Sequence, residues 1–347
     1  MKVYFGGPDK PPFYLRNILA EKIDLIGKKG EIFWVTYYFR DLDLANKLIK
    51  AAERGANVTV VLERRPRVKD CNDEVFNLLK ESSKVKIKYI EHSKPHRGIF
   101  GGMPRIHEKV YYFKNDFETS VFIGSFNPSS KINNDDKRII DLIGDQYRGH
   151  NFLVEIDEKH LIEGLYNHCK NIVQINHGII ENFKKKDKCI CDTDTKIHFF
   201  PWAGKKCVTD FFYAAEKGDR VYIAVSHISL FGIARILYKL KRKGVRLDII
   251  SHDTERRFPE RIERQLKKYS INYMRYIHPK RYPMHNKFII IEKKNEQFVG
   301  FGSLNLSNRS IYENHEIFAV TNNDTMVEAF KKRWYEIYYE IINNKYS

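Results

Sequence analysis

The sequence predicts an α/β protein made of two tandem repeats, each a mixed β-sheet flanked by helices. Three observations lead there. Apolar strand patterns alternate with amphipathic helix patterns through the whole of the 347 residues. A strand–helix–strand stretch occurs twice, as "GEIFWVTYYFRDLDLANKLIKAAERGANVTVVLERR" at 30–65 and "DRVYIAVSHISLFGIARILYKLKRKGVRLDIISHDTERR" at 219–257. The strands that follow also match: "RIHEKVYYF" and "VFIGSFNPSS" answer "PMHNKFIII" and "FVGFGSLNLSNRS", and His107 to Gly124 spans the same 17 positions as His285 to Gly302. Unrelated strands seldom agree in motif and spacing together.

Each repeat opens on a short strand, "KVYFGG" or "KIHFFP", and a helix pattern, "FYLRNILAEKIDLIGKKG" or "VTDFFYAAEKGD". The strand–helix–strand unit comes next, its helix stopped by Gly55 or Gly244, which is the grammar of a parallel βαβ unit. An antiparallel hairpin follows, turning at "KNDFET" or "KKNEQ", then a further strand, "GHNFLVEI" or "YENHEIFAV". A helix closes each copy, over roughly 158–184 and in "DTMVEAFKKRWYEIYYEIINN". The polar stretch "KKKDKCICDTDTK" has no helical stripe, so the boundaries expected are 1–184 for the first repeat, 185–196 for a linker and 197–347 for the second. A pseudo-twofold relation between the repeats would bring the two His-x-Lys strand mouths together.

Composition narrows the function. Apolar residues at 42% and aromatics at 14% exclude disorder. No apolar run approaches the length of about 18 residues that a spanning helix needs, and the N-terminus lacks a secretory signal pattern, so a soluble, cytoplasmic protein is expected. Five scattered cysteines argue against a disulfide framework, and Cys189-x-Cys191 has no matching pair at zinc spacing. The net charge of +17 favours polyanions, either nucleic acid or an anionic membrane surface, with a lysine-rich compositional bias as the bland alternative.

The doubled motifs carry chemistry. Lysine beside histidine supplies permanent positive charge for an anionic ligand. Ser and Asn offer neutral donors suited to phosphate oxygens. The composite site expected holds His107, Lys109, Asn127, His285, Lys287 and Asn305, with Ser125 and Ser303 behind. It is a phosphoryl cradle with two imidazoles that calls for no metal and no cofactor. One imidazole can attack phosphorus while the other protonates the leaving oxygen and then activates water.

The pattern His-x-Lys then Gly-Ser-x-Asn, present twice, resembles the phospholipase D superfamily, and the resemblance covers nearly the whole chain. It implies a fold of two phospholipase-D-like repeats sharing one active site and a covalent phosphohistidine intermediate. By position it implies His107 as nucleophile and His285 as general acid, with the reverse assignment open. Relatives often carry an acid five residues after the lysine. Here those positions are Lys114 and Glu292, with Asp116 nearby in the turn. Relatives also carry a carboxylate at the start of the next strand. Glu316 fits that role, and its counterpart by alignment is Asn151. The two histidines would then titrate differently.

Among members, the chain looks most like nucleases of restriction or defence type, which makes a metal-independent DNA endonuclease the leading expectation. Basic stretches favour it. Lys94, Arg97 and Arg105 precede His107, and Lys280 and Arg281 precede His285; all five are expected to contact substrate. Further runs, "RRPRVK" at 64–69 and "ERRFPERIERQLKK" at 255–268, follow equivalent strands, although the second reads equally as a charged helix face. Phe100, Tyr276 and Tyr282 interleave with the basic loops as stacking candidates. The partner expected is nucleic acid, DNA before RNA, with no stable membrane insertion. One site per chain cuts one strand, so double-strand cuts need sequential nicking or a homo-oligomer. The alternatives are a lipid phosphodiesterase or phosphatidyl transferase at an anionic membrane surface, and a nucleic-acid-binding module with a weakened site.

Overall fold

The computed structural model describes residues 1–91, 104–128, 147–175 and 188–344. Two mixed sheets carry the fold. The first contains β1 (Lys2–Gly6), β2 (Glu31–Thr36), β3 (Asn57–Glu63), β4 (Val85–Ile90), β5 (Val110–Lys114), β6 (Thr119–Gly124) and β7 (Asn151–Ile156), in the order 1-7-6-5-2-3-4. The second contains β8 (Cys189–Cys191), β9 (Thr195–Phe200), β10 (Arg220–Val225), β11 (Arg246–His252), β12 (Asn272–Tyr276), β13 (Lys287–Glu292), β14 (Gln297–Gly302) and β15 (Glu316–Thr321), in the order 12-11-10-13-14-15-9-8. Read from the opposite edge, the second order repeats the first strand for strand, with β8 added. The βαβ segments pair in parallel (β2–β3–β4 and β10–β11–β12), and the hairpins pair antiparallel. The tandem-repeat architecture read from the sequence is the architecture of the molecule.

Among the described residues the helices are α1 (Tyr14–Asp24), α2 (Leu42–Glu53), α3 (Asp73–Glu81), α4 (Lys159–Val173), α5 (Gly204–Tyr213), α6 (Phe231–Lys243), α7 (Glu260–Lys268), α8 (Asn308–Tyr312) and α9 (Asp324–Asn344). Local sequence explains their limits. Asp41 caps α2 by accepting from the Leu44 backbone N–H at 2.9 Å, and Leu44, Ala45, Leu48, Ala51 and Ala52 form its buried stripe. Gly244 ends α6 at φ 93°, the left-handed conformation a side chain disfavours.

The two sheets share one core. Phe152 of β7 meets Phe288 of β13, Phe301 of β14 and Phe330 of α9 at ring distances of 6.5, 6.3 and 5.3 Å. Each closing helix bridges the repeats: α4 touches β6 and β8, and α9 touches β10, β13, β14 and β1. Arg333 on α9, 1% exposed, ties the bridge to the first repeat. Its guanidinium donates to the Gly6 carbonyl at 2.8 Å and to both Asp9 carboxylate oxygens at 2.9 Å, and lies 2.9 Å from His150 Nδ1.

Two expectations about organisation change. Residues 189–191 and 195–196, placed by sequence in a linker, are strand: β8 pairs antiparallel with β9 and extends the second sheet by one edge strand. A three-residue edge strand, Cys-Ile-Cys, is too short to show an alternation. The outer parallel strands β4 and β12 were also not individually legible, because "VKIKYI" and "NYMRY" interleave apolar residues with charge. The segment 176–187, including the end of the predicted closing helix, lies outside the described residues. Among the described residues no helix is long and apolar enough to cross a membrane.

Candidate active site

The two His-x-Lys segments meet where the sheets join. Neither histidine belongs to its regular strand; each lies just before one and is pinned by the opposite repeat. His107 N–H donates to the His315 carbonyl at 3.0 Å, and His315 N–H donates to the Arg105 carbonyl at 2.8 Å. Reciprocally, His285 N–H donates to the His150 carbonyl at 2.9 Å, and His150 N–H donates to the Pro283 carbonyl at 2.9 Å. The parallel bridges Ile106–His315 and His150–Met284 are the same contact made twice. The residue after each bridge, Asn151 or Glu316, opens β7 or β15 and reaches the other repeat's histidine.

That is the central geometry. His107 Nδ1 lies 2.8 Å from Glu316 Oε2, and His285 Nδ1 lies 2.9 Å from Asn151 Oδ1. The sheet registers prove the two partners equivalent, because Asn151 faces Gly6 at the end of β1 and Glu316 faces Phe200 at the end of β9. Since Asn151 Oδ1 accepts, His285 carries its proton on Nδ1, and Nε2 is the nitrogen on the cavity side.

The serines do something other than expected. Ser125 Oγ donates to Asn151 Oδ1 at 3.0 Å and accepts from the Phe152 N–H at 3.1 Å. Ser303 Oγ donates to Glu316 Oε2 at 2.6 Å and accepts from the Ile317 N–H at 3.0 Å. Both are fully buried and hold the histidines' partners rather than reaching for a phosphate. Ser310, on α8, donates to the other Glu316 oxygen at 2.7 Å. The preceding glycines are forced by the same approach. A Cβ on Gly124 would stand 2.3 Å from the Phe152 carbonyl oxygen, and one on Gly302, at φ 148°, would stand 2.2 Å from that of Ile317.

Lys109 and Lys287 lie beneath the cavity wall, 0% and 2% exposed. Each ammonium donates to the backbone carbonyl of its own motif's histidine, for Lys287 at 2.7 Å. Their charge therefore acts through a dry protein interior, where a Coulomb interaction is several times stronger than in water. The cavity in front holds about 410 Å³ and is lined by His107, Asn127, His285 and Asn305 together with Arg67, Arg105, Arg256, Arg257 and Arg309. Among the described residues no carboxylate lies on its wall. Asn127 turns its carbonyl oxygen to Thr36 Oγ1 and the Tyr38 N–H, both at 3.4 Å.

Electrostatics follow from that enclosure. Burial, opposed by Glu316 and reinforced by Lys109 and Lys287, lowers His107 to a pKa of about 4. Burial and the neighbouring cations Lys287 and Lys109 push His285 well below the ordinary imidazole value, and the partner at its Nδ1 is the amide oxygen of Asn151. Burial alone would raise Glu316, but His107, Lys109 and Ser303 outweigh it and keep it ionised. Both imidazoles are therefore neutral in the empty site at pH 7.

Other predicted positions sort differently. Arg105 lines the cavity and donates to Tyr37 Oη at 3.0 Å. Lys280 is exposed, and Arg281 faces a separate cavity of about 260 Å³ beside His278 and Tyr282. Lys94, Arg97 and Phe100 lie outside the described residues. Tyr276 is core, 2% exposed, and donates to Glu340 Oε1 at 2.6 Å; it presents no stacking face. Glu292 and Lys114 end their strands, about 17 Å from the lysines at strand rise. There Glu292 accepts from Tyr222 Oη at 3.0 Å and pairs with Lys331, so this acid braces the fold. Asp116 is an exposed turn residue and cannot substitute in the site. Two cavity features escaped the sequence reading of single residues: Tyr37 and Tyr38 after β2, and Ser226 and His227 after β10. Their signal was position, immediately beyond the carboxyl ends of equivalent parallel strands.

Two interlocked α/β repeats, each completing the other's histidine, define a class of phosphoryl-handling enzymes built by internal duplication. The chain belongs to the phospholipase D superfamily, a superfamily of phosphodiesterase-type enzymes. The family model described as "Cardiolipin synthase, PLD-like domain" matches it twice, over residues 23–143 and 210–337. No curated protein sequence matches it significantly. Among solved structures, polyphosphate kinase from Porphyromonas gingivalis is similar over 96% of this chain and 46% of its own, with TM-score 0.64 and 13% identity. Phosphatidylserine synthase from Haemophilus influenzae is similar over 98% of this chain and 86% of its own, with TM-score 0.65 and 11% identity. The phospholipase D family member Nuc from Salmonella typhimurium aligns over 42% of this chain and 93% of its own, with TM-score 0.37 and 19% identity. This chain thus spans less than half the length of the kinase it resembles.

Proposed function

We propose that the chain is a metal-independent DNA endonuclease acting through a covalent phosphohistidine intermediate. The observation that carries this reading is a cavity holding three imidazoles, those of His107 and His285 among them, and five guanidiniums, with no carboxylate on its wall among the described residues. A phosphodiester entering it meets several guanidiniums, and a polyanion is attracted from a distance by the net charge of +17.

Neutral His107 attacks phosphorus through Nε2. The new P–N bond forms as the bond from phosphorus to the leaving oxygen breaks. The electron pair leaves on that oxygen, which takes a proton from His285 Nε2. Positive charge on the phosphorylated ring is stabilised by the Nδ1–H donated to Glu316. In the second step His285 Nε2 takes a proton from water. The water oxygen bonds to phosphorus, the P–N bond breaks, and His107 returns neutral. His285 is neutral in the empty site, so its first proton is acquired with substrate, whose negative charge raises the imidazole's pKa. A histidine nucleophile needs no 2′-hydroxyl, so the chemistry works on DNA.

The test is incubation of supercoiled, linear, single-stranded and RNA substrates in EDTA. Cleavage of DNA is expected, falling by about 10²-fold or more in His107→Ala and His285→Ala. A strict need for added divalent metal would sink the mechanism. A phosphatidyl transferase is the second reading, favoured by the description of the matching family model. It predicts headgroup exchange on phosphatidylglycerol vesicles and no cleavage of DNA. The serine-, asparagine- and arginine-rich lining of the described cavity favours the nuclease reading over it.

A further inference from the structure

Glu63, the last residue of β3, is a carboxylate buried to 1% exposure. Both of its oxygens accept from backbone N–H groups. Oε1 accepts from Arg65 at 2.8 Å, in its own turn, and Oε2 accepts from Ile106 at 2.8 Å, 43 residues away along the chain. Ile106 immediately precedes His107 and is itself fully buried. The backbone groups on either side of it face the second repeat: the Arg105 carbonyl accepts from the His315 N–H at 2.8 Å, and the His107 N–H donates to the His315 carbonyl at 3.0 Å. Strand alternation turns the Ile106 N–H the other way, towards the end of β3, where a buried donor without an acceptor would be costly. Glu63 supplies that acceptor. The segment bearing His107 is thus held from both sides, by His315 across the repeat boundary and by Glu63 within its own repeat.

The second repeat fills the same position with another group. Counting along the paired strands β2–β3 and β10–β11, Glu63 answers His252. His252 meets the Asp253 carboxylate through Nδ1 at 2.5 Å and the Arg257 guanidinium through Nε2 at 2.9 Å. Both of its ring nitrogens are taken within its own turn, so the side-chain anchor from this position belongs to the His107 side.

A proton on Glu63 must go to an oxygen that already accepts a hydrogen bond. A neutral acid is a poorer acceptor than a carboxylate, so protonation weakens one of the two ties. Burial raises Glu63 to about 7, opposed by the two N–H groups and by Arg105 and reinforced by Glu91. Glu91 itself pairs with Arg64 and Arg65, and the Tyr37 hydroxyl is held between Arg105 and the Arg67 N–H. The hold on Ile106 therefore reaches full strength only above about pH 7.

We infer that Glu63 is a positioning residue for His107: by holding the Ile106 N–H it fixes the backbone from which His107 attacks phosphorus. This rests on the phosphohistidine step proposed above and not on DNA being the substrate.

Single-turnover release of p-nitrophenolate from bis(p-nitrophenyl) phosphate in EDTA tests it. So good a leaving group makes the rate report attack by His107 rather than proton delivery by His285. His107, lowered to about 4, stays neutral from about pH 5.5 to about pH 8.5, so its own titration does not enter. Glu63→Gln keeps the shape of the neutral acid. Its rate constant should match the wild type at about pH 5.5 and fall below it by about fivefold at about pH 8.5, the ratio changing through about pH 7. KM should not change, because Glu63 does not face the substrate. Glu63→Ala should be slower by about tenfold or more at both pH values. Circular dichroism checks that the variants fold; if Glu63→Ala does not, the Glu63→Gln ratio decides. A ratio of wild type to Glu63→Gln that is equal at both pH values, or a folded Glu63→Ala as fast as the wild type, overturns the role of Glu63 and leaves His107 as nucleophile. Release that survives in His107→Ala, or is absent from the wild-type protein, overturns the phosphohistidine step and the role of Glu63 with it.

Discussion

His107 and His285 occupy equivalent places and differ by one atom type at their inner nitrogen, a carboxylate oxygen from Glu316 against an amide oxygen from Asn151. The carboxylate balances a positive ring, which suits the imidazole that, on the proposed mechanism, becomes phosphorylated. The amide orients its imidazole without feeding it charge, so His285 gives up and regains a proton readily. In the free protein both rings sit below the ordinary imidazole value, and the proposed mechanism needs His285 protonated. The alkaline limb of kcat/KM should therefore fall on the acid side of pH 6.5. Asn151→Asp places a carboxylate at His285 and should raise its pKa, moving that limb to higher pH by about one unit or more. A pH profile that stays put, or moves to lower pH, would remove Asn151 from this role.

At the level of elements, the Gly-Ser pair ends each hairpin and sets the site's depth. Gly124 and Gly302 let β6 and β14 pass so close to β7 and β15 that the following serine reaches both a backbone N–H and the histidine's partner. Gly302→Ala must push against a carbonyl at 2.2 Å, and we expect a loss of roughly 1–3 kcal/mol in urea unfolding, together with loss of activity. Gly27→Ala, where a Cβ meets nothing within 4 Å, is the matched control. A Gly302→Ala midpoint equal to the control's would refute the packing account. This motif was the most legible part of the chain, since a repeated glycine at fixed distance from a repeated histidine survives as spacing. The βαβ units and hairpins were legible because their apolar periods are strong. The serines' true targets were not, because a hydroxyl's partner depends on which strand lies beside it. Arg256 and Arg257 showed only as basic residues. Nothing in "ERRFPERIERQLKK" separates the two that turn into the cavity from those that ride α7.

For the whole molecule, histidine burial sets the response to acid. His107, His198 and His252 are lowered to about 4, His227 to about 3, and His285 well below its ordinary value, each chiefly by burial. Unfolded, these rings bind protons near pH 6.5; folded, they stay neutral to far lower pH. The unfolded chain therefore binds more protons in between, and stability falls as pH drops from about 6.5 towards 4. Glu63, buried and raised to about 7, works in the opposite sense above its ordinary value, but it is one group against five. Urea midpoints measured from pH 7 to pH 4.5 should decline steadily; a flat or rising series would contradict the burial of these rings.

The cross-wiring of the half-sites has an ancestral implication. Two identical chains paired about an exact twofold axis must give both histidines the same partner, because one codon specifies both copies. Joining the copies in one chain releases that restriction. Position 151 and position 316 can then mutate separately, and on the proposed mechanism that lets one imidazole specialise as attacker and the other as proton carrier. Asn151 and Glu316 are such a pair, equivalent in the sheets and different in charge.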